Sequence, residues 1–216
     1  LGLLVLIDSR LVPFTFFQFW TWEGTLLQVV MGAWPLYLGM ALLNAFFLFT
    51  KHNGYSTTPQ EILVMGFRIS VIAGFVEEIF FRWLMFYGAI IFMPLLNWVV
   101  WYIFGVEIIR LFYQDLVIPV ANFFTLQYLQ HILMDGYGWV VGAAVITANG
   151  QFRNGHLYQG FFGWTLSWFF GMYMFWIMFT HGLPAAILIH FLVDLTVFFM
   201  VWLDAHYERI FPVRRV

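Results

Sequence analysis

The sequence contains no cysteine. Disulfides, thiolate metal sites and a cysteine nucleophile are therefore all excluded. Charge is nearly as scarce. Asp, Glu, Lys and Arg make up 9% of the 216 residues, against about 25% in soluble domains. So few charges cannot cover a water-facing surface. The formal net charge of −2 offers no basic face to nucleic acid. The apolar run Leu3–Ile7 has no basic flank and is too short for a signal peptide. No serine stands in a nucleophile motif, and the helical His-Glu-x-x-His zinc motif is missing. No internal repeat or low-complexity linker divides the chain.

Apolar residues are what the chain has in quantity. They make up 63% of it, and 23% is aromatic, with 28 Phe and 11 Trp. Trp and Tyr are favoured where helices meet lipid headgroups. One membrane crossing takes about 20 apolar residues. These features predict an all-α fold, a polytopic transmembrane bundle of about six to eight helices. They predict a single membrane domain over residues 1–216, integral to the membrane and multi-pass. Arg209, Arg214 and Arg215 place the C-terminus on the cytoplasmic side by the positive-inside rule.

Residues 11–22 are aromatic and read as an interfacial segment. A first span is expected over Thr25–Thr50, closed by Lys51-His52-Asn53-Gly54. Thr58-Pro59-Gln60-Glu61 marks the next start: a capping residue, Pro at the first helical position, and Glu three after the cap. That helix should run to about Tyr87, with Gly66 and Gly74 as close-packing points. Ala89–Phe104 crosses or re-enters. Residues 105–123 are mixed, and 124–136 read as a loop or interfacial helix. Further spans are expected near 137–150, 160–180 and 184–203.

An ionisable side chain at bilayer depth costs about 2.5–3.5 kcal/mol even on lenient insertion scales. Such residues need a partner or a task, and three clusters qualify. In Glu77-Glu78-Ile79-Phe80-Phe81-Arg82, Glu78 and Arg82 are four apart and can pair. Glu77 lies about 100° round the helix, free to face a cavity. In Phe152-Arg153-Asn154-Gly155-His156, the histidine ends a span. In His190-Phe191-Leu192-Val193-Asp194, a histidine and a carboxylate share one face of an apolar helix, where the carboxylate can orient the imidazole. Each cluster also has a plainer reading: a packing ion pair, an interfacial histidine, a satisfied buried pair. Glu107 and Arg110 read as a local ion pair. Together the clusters could form a general-base site acting on water, with oxyanion donors. A divalent metal such as zinc on Glu77, His156 and His190 is the other physical option.

Glu-Glu-x-x-x-Arg at 77–82, Phe-x-x-x-His at 152–156 and His-x-x-x-Asp at 190–194, in this order, resemble the CPBP family. That family comprises the type II CAAX prenyl endopeptidases and bacteriocin-processing proteins, including the Ras-converting type of CAAX protease. The flanks Phe80-Phe81-Arg82, His156-Leu157-Tyr158-Gln159-Gly160 and Pro184–His190 resemble it too. The likeness covers about residues 60–200. It implies a glutamate-dependent intramembrane endopeptidase. Glu77 would then activate water with help from His156, and His190 and Asp194 would stabilise the oxyanion. Glu78 and Arg82 would support the site. Three positions depart from the usual pattern. Asp194 stands where the family also uses Asn, and it can donate to an oxyanion only as the neutral acid. Trp83 stands where Gly is frequent. Arg153-Asn154 replace smaller, less polar residues. These bear on substrate preference more than on chemistry.

The expected activity is hydrolysis of a peptide bond in a membrane-associated, possibly prenylated CAAX-type, substrate by glutamate- and histidine-activated water. Membrane lipid and a peptide or lipidated protein are the expected partners. No organic cofactor is implied. The alternatives are a non-proteolytic membrane scaffold or bacteriocin-immunity-type protein of the same fold, and a proton-coupled transporter.

Overall fold

The computed structural model describes residues 13–50 and 57–210. The expected turn at Lys51–Gly54, the run Leu3–Ile7 and the arginines at 214 and 215 lie outside the described residues. The fold is all-α. In chain order the helices are α1 (Leu26–Gly32), α2 (Trp34–Thr50), α3 (Pro59–Glu77), α4 (Phe86–Phe104), α5 (Ile108–Leu111), α6 (Ile118–Phe124), α7 (Trp139–Gly155), α8 (Gly160–His181) and α9 (Leu183–Ile210). A π-helical turn, Glu78–Met85, joins α3 to α4. Two more π turns, Phe112–Val117 and His131–Asp135, flank α6.

Among the described residues, three helical stretches are long and apolar enough to cross a membrane: Pro59–Phe104, Leu157–His181 and Leu183–Tyr207. The first is 46 residues long, where one crossing takes about 20.

The elements fall into two compact units. One holds residues 1–23 and 77–184, the other residues 24–76 and 185–216.

In the second unit the start of α3 is built as its sequence predicts. The Thr58 backbone N–H donates to Glu61 Oε2 at 2.7 Å, and the Glu61 N–H donates to Thr58 Oγ1 at 3.2 Å. Two orphan donors of the helix end are thereby satisfied. Gly74 lets α9 approach closely, since a Cβ there would sit 3.0 Å from the Ile187 carbonyl and the Phe191 nitrogen. Gly66 does the same beneath Phe198. The expected span over Thr25–Thr50 is broken: α1 and α2 meet at Ala33 with a bend of 43°. Pro35 is the physical cause, because it has no N–H to offer the Met31 carbonyl.

The first unit is organised around α7. Its run Val141-Gly142-Ala143-Ala144-Val145 is fully buried, together with Ala148, Asn149 and Phe152. Small side chains let α4, α8 and the first π turn press against it. The aromatic segment 13–22 is held in this unit by specific bonds. Trp83 Nε1 donates to the Phe16 carbonyl at 2.7 Å, and the Tyr87 hydroxyl donates to the Thr15 carbonyl at 2.6 Å. Phe14 and Phe19 are buried against Phe86 and Phe179. The chain does not stop near Tyr87 as expected but continues as helix to Phe104. Gly88 costs only about 1 kcal/mol in a helix interior, too little to end a helix supported on both sides. Glu107 and Arg110 pair at 2.8 Å, as their spacing predicts.

Candidate active site

The three sequence clusters form three side-chain pairs. Two of them, Glu78–Arg82 and Glu77–His156, belong to the first unit. The third, His190–Asp194, belongs to the second.

Glu77 is the last residue of α3, and Glu78 opens the π turn. π-Helical turns, with backbone bonds from i to i+5, often mark functional sites. Residues four apart still meet here. Arg82 Nη1 lies 3.2 Å from Glu78 Oε1, and both side chains are fully buried. The Arg82 guanidinium also lies over the Phe152 ring, 4.0 Å from its centre, with the Phe175 ring at 5.8 Å. Its nitrogens form no hydrogen bond of good geometry among the described residues, so charge and ring stacking hold it.

Gly171 on α8 makes room for this arrangement. A Cβ there would collide with Asn149 Oδ1, and it would stand 2.9 Å from Arg82 Nη2 and from the Phe152 ring. Asn149 is itself fully buried, its amide nitrogen donating to the Trp168 carbonyl at 3.0 Å. Sequence reasoning missed Asn149 and Gly171. The available signal was a lone amide in the small apolar run of α7.

His156 follows the last residue of α7. Its Nδ1 lies 2.8 Å from the Phe152 carbonyl oxygen. A carbonyl only accepts, so Nδ1 carries the hydrogen and donates. In the neutral ring, Nε2 then holds the lone pair. Nε2 lies 4.0 Å from Glu77 Oε2, with the His156 side chain 18% exposed and that of Glu77 29% exposed. This is too long for a direct hydrogen bond. It is a separation that a single water about 2.8 Å from each atom would bridge. The carboxylate and the lone pair can both take protons, so the two together can bind a water and deprotonate it.

Phe152 therefore serves both pairs of this unit. Its ring covers Arg82, and its carbonyl fixes the tautomer of His156. The spacing of four between Phe152 and His156 is what allows this on one helix face.

On α9, His190 Nε2 lies 3.7 Å from Asp194 Oδ2. His190 is 3% exposed, and the Asp194 side chain is 27% exposed. The carboxylate stands where it can favour a proton on the facing ring nitrogen. Among the described residues, no three His, Asp or Glu side chains gather in a set able to hold a metal ion. No family model, curated protein or solved structure matches this chain.

Proposed function

We propose that the chain is an integral, multi-pass membrane endopeptidase that hydrolyses a peptide bond with water activated by Glu77 and His156. One observation carries this reading. A partly exposed glutamate and a histidine whose tautomer is fixed by the Phe152 carbonyl stand 4.0 Å apart, a separation that one bridging water would span. The order and spacing of the three sequence motifs support it further.

In the proposed reaction, the water oxygen attacks the scissile carbonyl carbon while Glu77 accepts its proton. His156 orients the water through Nε2. The negative charge moves to the carbonyl oxygen, where hydrogen-bond donors would stabilise it; in the family the sequence motifs resemble, that role falls to the positions of His190 and Asp194. Collapse breaks the C–N bond, and the proton held by Glu77 passes to the leaving amine. Glu78 and Arg82 do not touch the reacting atoms. They hold the turn that carries Glu77.

The substrate class is a membrane-associated peptide or lipidated protein. The C-terminus is assigned to the cytoplasmic side on Arg209 and the two arginines beyond it. The absence of cysteine allows a single introduced thiol near residue 205 to be labelled from one side of sealed vesicles, which checks this directly.

The deciding experiment incubates the purified protein in lipid with peptides bearing or lacking a prenylated cysteine, and reads fragments by mass spectrometry. Wild type should cleave, and Glu77→Ala should not. Cleavage that survives in the folded Glu77→Ala variant removes Glu77 from the mechanism. A folded wild type that cuts none of the substrates leaves the chain a scaffold built on the Glu78–Arg82 core.

A further inference from the structure

A groove of about 580 Å³ opens on the first unit, away from the Glu77–His156 pair in its lining. Its walls are α6 with the π turn before it, and the first half of α8. Val120, Phe124, Trp164, Trp168 and Phe169 give it an almost wholly apolar surface. Thr165 also lines it, but its hydroxyl already donates to the Phe161 carbonyl at 2.9 Å. One charge lines the groove, the guanidinium of Arg153.

Arg153 is held in place rather than loose. Its guanidinium stacks on Trp164 at 3.9 Å from the ring centre, with the Trp168 ring at 5.5 Å. Asn154 Oδ1 accepts from Arg153 Nη2 and from Trp164 Nε1, each at 3.3 Å. Among the described residues Arg153 has no carboxylate partner, and its Nε is buried with no acceptor. Partial burial draws the guanidinium below its ordinary pKa, a cost that a neighbouring anion offsets.

An oriented cation at one point of an apolar groove selects a ligand with a hydrocarbon chain and one anionic group. A peptide fits poorly, because its backbone N–H and C=O groups would meet no partners along these walls. A free anion would leave the walls unused. We propose that this groove binds one anionic membrane phospholipid, its phosphate on the Arg153 guanidinium and an acyl chain along α6 and α8. Guanidinium forks match phosphate oxygens bidentately. The volume lies within the roughly 300–1,000 Å³ of small-molecule sites. The proposal does not depend on peptidase activity.

The test delipidates the full chain in detergent and titrates it with phosphatidylglycerol or with diacylglycerol, which lacks the phosphate, counting bound lipids by native mass spectrometry. Wild type should retain one phosphatidylglycerol with about tenfold preference over diacylglycerol, the worth of a charge-assisted hydrogen bond. Arg153→Gln should erase that preference. Val120→Trp, which fills the apolar wall and leaves the cation, should lower retention of the bound lipid about tenfold. Equal retention of the two lipids by wild type overturns the proposal. So does undiminished preference in folded Arg153→Gln, or undiminished lipid retention in folded Val120→Trp. Farnesol that occupies the groove without displacement by phosphatidylglycerol assigns it to a neutral chain instead.

Discussion

Glu77 and Glu78 are adjacent residues of the same type, yet their surroundings are opposite. Glu78 is fully buried, paired with an equally buried arginine that is stacked on aromatic rings. Glu77 keeps 29% of its side chain exposed and faces a histidine 4.0 Å away. One carboxylate is consumed by packing, and the other is the one to which the proposed mechanism assigns the chemistry. Under the proposed function, the difference is what lets adjacent glutamates divide support from reaction, with the Arg82 charge held against Glu78.

The largest expected effect separates the two residues. Glu77→Ala should lower cleavage by about 10²–10⁴-fold, the usual worth of a general base. The same variant should cost less stability than loss of the Arg82 side chain, because Glu77 keeps part of its side chain exposed whereas Arg82 and Glu78 are fully buried. A loss of stability comparable to that of an ion-pair variant would erase the distinction between the two glutamates. Arg82→Ala should do the reverse. It leaves Glu78 buried without its counter-charge and should cost about 3–5 kcal/mol, seen as a large drop in melting temperature in detergent. Next comes Gly171→Ala. Its new methyl collides with Asn149 and crowds Arg82 and Phe152, which should cost about 1–3 kcal/mol by the same melt. The smallest effect belongs to Trp83→Phe. This keeps a ring beside Phe16 but removes the hydrogen bond to its carbonyl, worth about 0.5–1.5 kcal/mol. Near-normal stability in Arg82→Ala would break the comparison from the other side.

Much of this could be read from the chain itself, where the determinant is local. The Thr58–Glu61 box is a matter of three-residue spacing, and both of its hydrogen bonds form. Spacings of four likewise bring together Glu78 with Arg82, Phe152 with His156, and His190 with Asp194. What escaped depends on neighbours distant in sequence. The π turn at Glu78–Met85 carries no residue-type signal; it lies against α7. The Asn149–Gly171 contact joins positions on two helices, and no periodicity predicts it. The break at Ala33 was legible in Pro35, but the apolar run around it reads as one continuous span. Arg153 was noticed only as an unusual polar residue, because the groove beside it is made by α6 and α8.

Phe152 imposes a constraint on how this protein can vary. Its ring bears on the buried cation, and its carbonyl sets which nitrogen of His156 is basic. A substitution that shifts the helix backbone here to accommodate a different core would also reorient the imidazole. Robustness of the scaffold and tuning of its reactivity are therefore not independent traits in this chain. Drift in one would select for compensation in the other, and sequences that change at Arg82 or Gly171 should change at Phe152 or His156 as well.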